Sequence, residues 1–406
     1  MNKMTSSSPS LLNRIQTSSL AIHILSILFI PISPALAIPL VLWAFLKFSS
    51  RANAVISSAL LGLASAFIVY PITYQYFVDM ERWALECIYY QGRSITAIST
   101  SLNPDHQKLL VWNLWCWIIG NSGNLRLLQS SAAFFGYAFL CWPLLDMRAR
   151  EEITNKRLLI ILLISALAVP IQGIVGNVRS TLSCIIVVAV FYCQHRAKKR
   201  TLAQFFIIIC TIFIHSLMLI PLLLWMMIPI IKRFPRSTSA LLFFLIIGGV
   251  AVSDYVSTSG LFGEGVIGDI FESIRIYSVG TEFDQEYVKS TTAIAQLILL
   301  ILLFTILTLR LHFAKRVTPV YISYVVVLAG MQIVLVNVGS RLQTIPLLLG
   351  FQSIAAGQDS ERYTKLDRAL FAVVLLRSMI DFYAFAITFN WLGVLSSSIF
   401  WPLALI

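Results

Sequence analysis

The chain has 406 residues, 58% of them hydrophobic and 12% charged, with a formal net charge of +12. Soluble domains carry roughly 25% charged residues, so this composition excludes an ordinary soluble enzyme and points to a polytopic membrane protein. Lys and Arg fall in short clusters between apolar runs and not in one patch, which argues against nucleic acid as a partner and marks one side of a bilayer.

The chain opens with eighteen Ser-rich, polar residues. The apolar run behind them, 19–46, is too long and too rich in proline (Pro31, Pro34, Pro39) for a cleaved leader, and reads as a first membrane segment that is kinked or re-entrant. The side of the N-terminus stays open. Further apolar runs cover 53–77, 125–145, 158–175, 177–194, 202–217, 218–231, 238–257, 292–309, 319–338, 341–356 and 370–388, with a last apolar piece at 391–406. The expectation is an all-α, polytopic integral membrane protein of about twelve transmembrane helices, forming a single domain over residues 1–406. The clusters Lys47/Arg51, Arg148/Arg150/Lys156/Arg157, Arg196/Lys198/Lys199/Arg200, Lys232/Arg233/Arg236, Arg310/Lys315/Arg316 and Arg362/Lys365/Arg368 are the expected cytoplasmic loops. Three pairs of runs leave almost no external turn, and Gly173 with Gly176, Pro221, and Gly339 are the expected turning points. Short hairpins of this kind are tolerated where the irregular backbone is buried in protein or lines a cavity.

Two longer loops, 78–124 and 258–291, fall on the opposite, external side. The first carries DMERWALECIYYQGR and NPDHQKLLVWNLWCWIIGNSGN. Its Trp112, Trp115 and Trp117 suit the membrane–water boundary, as an interfacial or re-entrant helix. The second begins with Gly260, Gly263, Gly265 and Gly268 and carries Glu264, Asp269, Glu272, Arg275, Glu282, Asp284 and Glu286. Val266, Ile270, Phe271, Ile274 and Tyr277 recur there at helical spacing, as in an amphipathic helix on the outer face. The six cysteines show no ligand spacing, so no metal site is expected. No Walker-type phosphate loop, Rossmann glycine fingerprint or HExxH motif occurs, which leaves ATP-driven transport, nicotinamide chemistry and zinc proteolysis unsupported, and no cofactor is expected.

Ionisable residues inside apolar runs are expensive and mark functional sites by default. Counting helical rise from the basic loops places His215 about 20 Å above its loop, and Arg179 and Arg341 each about 24 Å above theirs. In a hydrocarbon core about 30 Å thick all three lie near the outer boundary. Asp79 opens the first external loop just above that level, with Arg82 one turn on. Each has a plainer reading: Arg179 or Arg341 as an interfacial snorkeler, His215 as a hydrogen-bond partner between helices, Asp79 and Arg82 as a solvated i,i+3 pair. Their common depth favours a shared anion-binding chamber. Arginine binds diphosphate oxygens bidentately and stays charged when desolvated, and histidine exchanges protons near neutral pH. Arg377 and Asp381, spaced i,i+4, read as a self-satisfied structural pair, and Glu272 and Arg275 as solvent-facing.

The order of these features resembles the EpsG-like, Wzy-type polymerases of bacterial surface polysaccharide. The run Asp79-Met80-Glu81-Arg82 opens the external loop, and Val178-Arg179-Ser180 lies on a short hairpin. A basic loop, Ile214-His215-Ser216 and Ser340-Arg341 follow. Where that family often has Glu-Pro and apolar residues, this chain has Asn103-Pro104-Asp105-His106, which leaves Asp105 as the nearest acidic candidate. The resemblance implies a GT-C-like inner-membrane enzyme working on the periplasmic face. It would join repeat units carried on undecaprenyl diphosphate, with a chain-length regulator protein and membrane lipid as partners. It implies that Arg179 and Arg341 bind the diphosphate. His215 or Asp79 would take the proton of the acceptor hydroxyl, and Arg82 would orient Asp79 or hold an acidic sugar substituent. A flippase of lipid-linked oligosaccharide and a membrane O-acyltransferase of surface sugars are the alternatives.

Overall fold

The computed structural model describes residues 11–71, 78–197, 201–233, 291–312, 341–356 and 361–386, together with Tyr255, Ser259, Ser398 and Ile399. Among the described residues every regular element is a helix. The α-helices are α1 Leu11–Phe29, α2 Pro34–Lys47, α3 Arg51–Val69, α4 Val78–Tyr90, α5 Leu110–Ser122, α6 Arg126–Ala149, α7 Asn155–Ala168, α8 Ile171–Gly176, α9 Val178–Ala197, α10 Leu202–Ile212, α11 Leu219–Met226, α12 Ile228–Arg233, α13 Thr291–His312, α14 Thr344–Ala356 and α15 Glu361–Ala386. Three of them, α3, α6 and α9, are long and apolar enough to cross a membrane, and α9 is the central one, with 83% of its span buried. The apolar runs 238–257, 319–338 and 391–406 and the loop 258–291 with Glu264, Glu272 and Arg275 lie outside the described residues, Ser398, Ile399 and isolated Tyr255 and Ser259 apart.

Local chemistry sets where the helices start. Ser50 accepts from the Asn53 amide to cap α3, Thr154 caps α7 through the Arg157 amide, and Thr201 with Gln204 forms a capping box on α10. All three caps stand beside basic clusters. The first apolar run divides at residues 30–33, with Pro34 in the first turn of α2, where its missing N–H costs nothing. Pro221 does not turn the chain as expected. It sits in the first turn of α11, and the break falls earlier, at Phe213–His215, for the same reason. Gly173 and Gly176 belong to the short α8.

Contacts between side chains order the bundle. Gln129 in the first turn of α6 donates to the Val69 carbonyl at the end of α3, so these two helices run antiparallel. Small residues at spacing four (Ala54, Ser58, Gly62, Ala66) are buried along α3 and let the backbones approach. A Cβ on Gly62 would stand 2.4 Å from the Phe134 carbonyl oxygen. Gly62→Leu is therefore expected to lower stability by about 1–3 kcal/mol or more through forced separation of α3 and α6, read as a fall in unfolding temperature in detergent. Helices α6 and α9 run parallel, since Asp146 near the end of α6 accepts from Tyr192 near the end of α9 at 2.6 Å and from Arg150 at 2.7 Å. Arg196 completes this cluster through Glu152. Arg157 donates to the Ile354 carbonyl at 2.6 Å, bringing the start of α7 to the end of α14. Most of the described basic residues thus gather at one end, with Arg179 at the other, separated along α9 by about 25 Å of helical rise. Arg310 departs from its expected place in a solvated loop: it is fully buried and forks onto Asp367 of α15 at 2.7 and 3.4 Å.

Candidate functional site

At the end of the bundle opposite the basic clusters, the loop 78–124 folds into two short helices joined by single-turn 3₁₀ segments at Ile95–Ser99 and Pro104–His106. On α4 the buried residues Met80, Trp83, Ala84, Cys87 and Tyr90 form an inward face, while Arg82, Leu85 and Ile88 are exposed. Burial pushes the Tyr90 phenol well above its ordinary range, so it stays neutral, and it donates to the Thr100 carbonyl. Helix α5 lies close against α4 because Gly120 meets the Cys87 carbonyl, where a Cβ would stand 2.0 Å away. The Trp112 amide donates to the Phe213 carbonyl at 3.2 Å, tying this hairpin to the break between α10 and α11. The exposed Leu85, Ile88, Leu110 and Ile118 suit a hairpin lying in the membrane boundary.

One carboxylate lies on that inward face. Glu86, 1% exposed, accepts from the Trp112 indole N–H at 2.7 Å through Oε2 and pairs with His106 Nδ1 through Oε1. A buried carboxylate needs two or more such donors to offset its desolvation. The His106 backbone is held as well, since its carbonyl accepts from Asn113 Nδ2 at 3.0 Å. Trp83 packs edge-on to Trp112 with ring centroids 5.2 Å apart and tilted against His106 at 5.3 Å. Arg179, in the first turn of α9, stacks on the same Trp83 ring, Cζ to centroid 4.0 Å, and lies 5.7 Å from Trp112. Such stacking fixes the plane of a guanidinium and contributes about 0.5–2 kcal/mol.

His215 caps the 3₁₀ turn Ser216–Met218 in the break after α10, and is not inside a helix as expected. Its Nδ1 accepts from the Leu217 amide at 3.3 Å. A main-chain N–H only donates, so the ring proton sits on Nε2. That buried Nε2 has no hydrogen-bond partner among the described residues. The guanidiniums of Arg179 and Arg341 lie close enough for their charges to bear on this imidazole. Arg341 is held beside α9 by the Cys184 thiol, which donates to its carbonyl at 3.4 Å. Two residues on, Gln343 accepts from Arg377 at 2.8 Å, which brings a third guanidinium to this end. The Asp381 side chain, expected as the Arg377 partner, lies outside the described residues.

The structure thus brings together Arg179, His215 and Arg341, from α9, the α10–α11 break and the segment before α14. It does not bring Arg82 into this set: Arg82 is exposed and makes no ion pair among the described residues. Asp79 lies in the first turn of α4, but its side chain, like that of Asp105, is outside the described residues. No group of three or more His, Cys, Asp or Glu side chains able to hold a metal occurs among the described residues. Compared with family models, curated proteins and solved structures, the chain matches none.

Two site residues escape the sequence reading: Glu86 and His106. The signal for Glu86 was present, because it is a lone carboxylate among Trp83, Cys87 and Tyr90 on the apolar face of an amphipathic helix. His106 carries no comparable signal, since its partner comes from another helix.

Proposed function

We propose that the chain polymerises oligosaccharide repeat units carried on undecaprenyl diphosphate, as a GT-C-like protein of about twelve transmembrane helices in the bacterial inner membrane, with its site towards the periplasm. The observation that carries the reading is the convergence of Arg179, Arg341 and the His215 Nε2–H at the end of the bundle opposite the basic loops. These are donors and positive charges. Planar guanidiniums take diphosphate oxygens two at a time.

The reaction needs little else from the protein. An acceptor hydroxyl attacks the anomeric carbon of the growing chain, the bond from that carbon to the diphosphate breaks, and negative charge builds on the leaving diphosphate. Preorganised donors in a site screened from water stabilise such charge by several kcal/mol. Energy already stored in the lipid-linked bond drives the transfer, so no nucleotide is required. The external loops would lie in the periplasm, and a chain-length regulator protein would set the product length. Of the two proton acceptors expected, His215 presents a donor in the tautomer that its Nδ1 contact sets, and Asp79 stands in the first turn of α4.

Single replacement of Arg179, His215 or Arg341 by alanine in the native host, with expression verified, is expected to leave lipid core bearing one repeat unit on a polysaccharide gel. A ladder of normal length in all three variants would sink the proposal. Loss of even the single-unit band would favour a flippase.

A further inference from the structure

The two buried histidines at this end are held in opposite tautomers. In His215 a backbone amide occupies Nδ1, so Nε2 carries the proton. In His106 the ring donates from Nδ1 to the Glu86 carboxylate, which as an ionised group only accepts and takes a second hydrogen bond from the Trp112 indole at Oε2. His106 Nε2 therefore presents a lone pair, and it makes no hydrogen bond among the described residues. One imidazole gives a proton to an acceptor atom; the other takes one. Both lie at the same place, since Arg179 and His106 both lie against Trp83, and the neighbouring Trp112 amide donates to the Phe213 carbonyl two residues before His215.

We propose that His106 is the general base of the transfer, oriented by Glu86 as its positioning residue, and that His215 is a hydrogen-bond donor to the diphosphate. This rests on the polymerase reading. The bond that forms joins the acceptor hydroxyl oxygen to the anomeric carbon. The bond that breaks is that carbon's bond to the diphosphate oxygen, which leaves with the electron pair. The hydroxyl proton passes to His106 Nε2. A carboxylate behind an imidazole holds the ring in the base tautomer and stabilises the imidazolium that forms. The frame is rigid: Glu86 holds the ring, and Asn113 and the Pro104–His106 turn hold the backbone. A carboxylate twenty residues away along the chain thus fills the place next to Pro104 that Asp105 was expected to serve.

The test uses purified full-length protein in vesicles, with lipid-linked repeat unit extracted from a polymerase-deficient strain of the native host. Undecaprenyl diphosphate serves as the binding probe, followed by quenching of tryptophan fluorescence. H106Q and E86Q are expected to lower kcat by about 10²–10⁴-fold with undecaprenyl diphosphate affinity close to wild type. H215A is expected to weaken that affinity by about tenfold or more. Added imidazole is expected to restore turnover to H106A and not to H215A, a response that a merely structural histidine would not give. E86Q keeps the shape of the pair, so it carries the test even where His106 variants fold poorly. Wild-type protein that lengthens chains while H106Q and E86Q do so at the full rate overturns the base assignment alone. Wild-type protein that lengthens nothing overturns the polymerase reading and the base with it.

Discussion

Arg179→Ala is expected to lower the rate of chain lengthening by about 10²–10³-fold, the usual effect of removing one preorganised donor from a leaving-group site. Its guanidinium is fixed by the Trp83 face at 4.0 Å, so the loss is in rate more than in stability. Removing the stacked cation forfeits about 1 kcal/mol of folding energy, whereas losing stabilisation of the departing diphosphate costs about 3–4 kcal/mol in the transition state. Arg179→Lys keeps the charge yet gives up the planar fork, and is expected to retain most of the defect. In the proposed site Arg341→Ala removes a second donor to the same anion. The double variant is expected to fall well short of the product of the two single effects, because residues serving one charge do not act independently. Turnover of lipid-linked units by each variant, at matched protein amounts, checks these values.

Asp367→Ala is expected to produce the largest loss of stability. Arg310 is fully buried in α13, and its Nε and Nη2 fork onto Asp367. Removing the carboxylate takes from a buried guanidinium the counter-charge that Asp367 supplies, a change that costs about 3–5 kcal/mol in a fully buried pair. With the Asp367 side chain 35% exposed, the lower end of that range applies. The combined change Arg310→Met with Asp367→Leu is expected to recover most of the loss, since a well-packed apolar pair removes the desolvation cost altogether. Thermal unfolding in detergent reads both. Turnover per folded molecule is expected to be unchanged, as this pair stands near the end of α13 away from Arg341.

How far the chain could be read in advance depended on which physical signal was available. Helical rise is constant, so counting residues from a basic loop gives Arg179, His215 and Arg341 a common expected level. Lateral position has no such ruler, and their convergence came from the structure. Boundaries were poorly legible because lipid-facing helices are apolar all round and lose the period that marks a buried face. The run 202–217 therefore read as one helix, although it breaks at Phe213–His215. Proline 221 pointed to a turn because it disrupts helix interiors, yet in a first turn it is harmless. Arg310 counted as one more loop cation, since nothing in its neighbourhood along the chain announces Asp367. Glu86 and His106 share no element and no regular spacing, so their pairing depends on the way the chain doubles back between α4 and α5.

In the proposed reading, Arg179, Arg341 and His215 form a site where lipid-linked units are joined. The most direct test places purified wild-type protein in vesicles loaded with the lipid-linked repeat unit and separates the products by size. A ladder of lengthened lipid-linked chains, reduced to the starting unit by Arg341→Ala, is the predicted result. Units that reach the opposite leaflet at their original length would contradict it and identify a transporter.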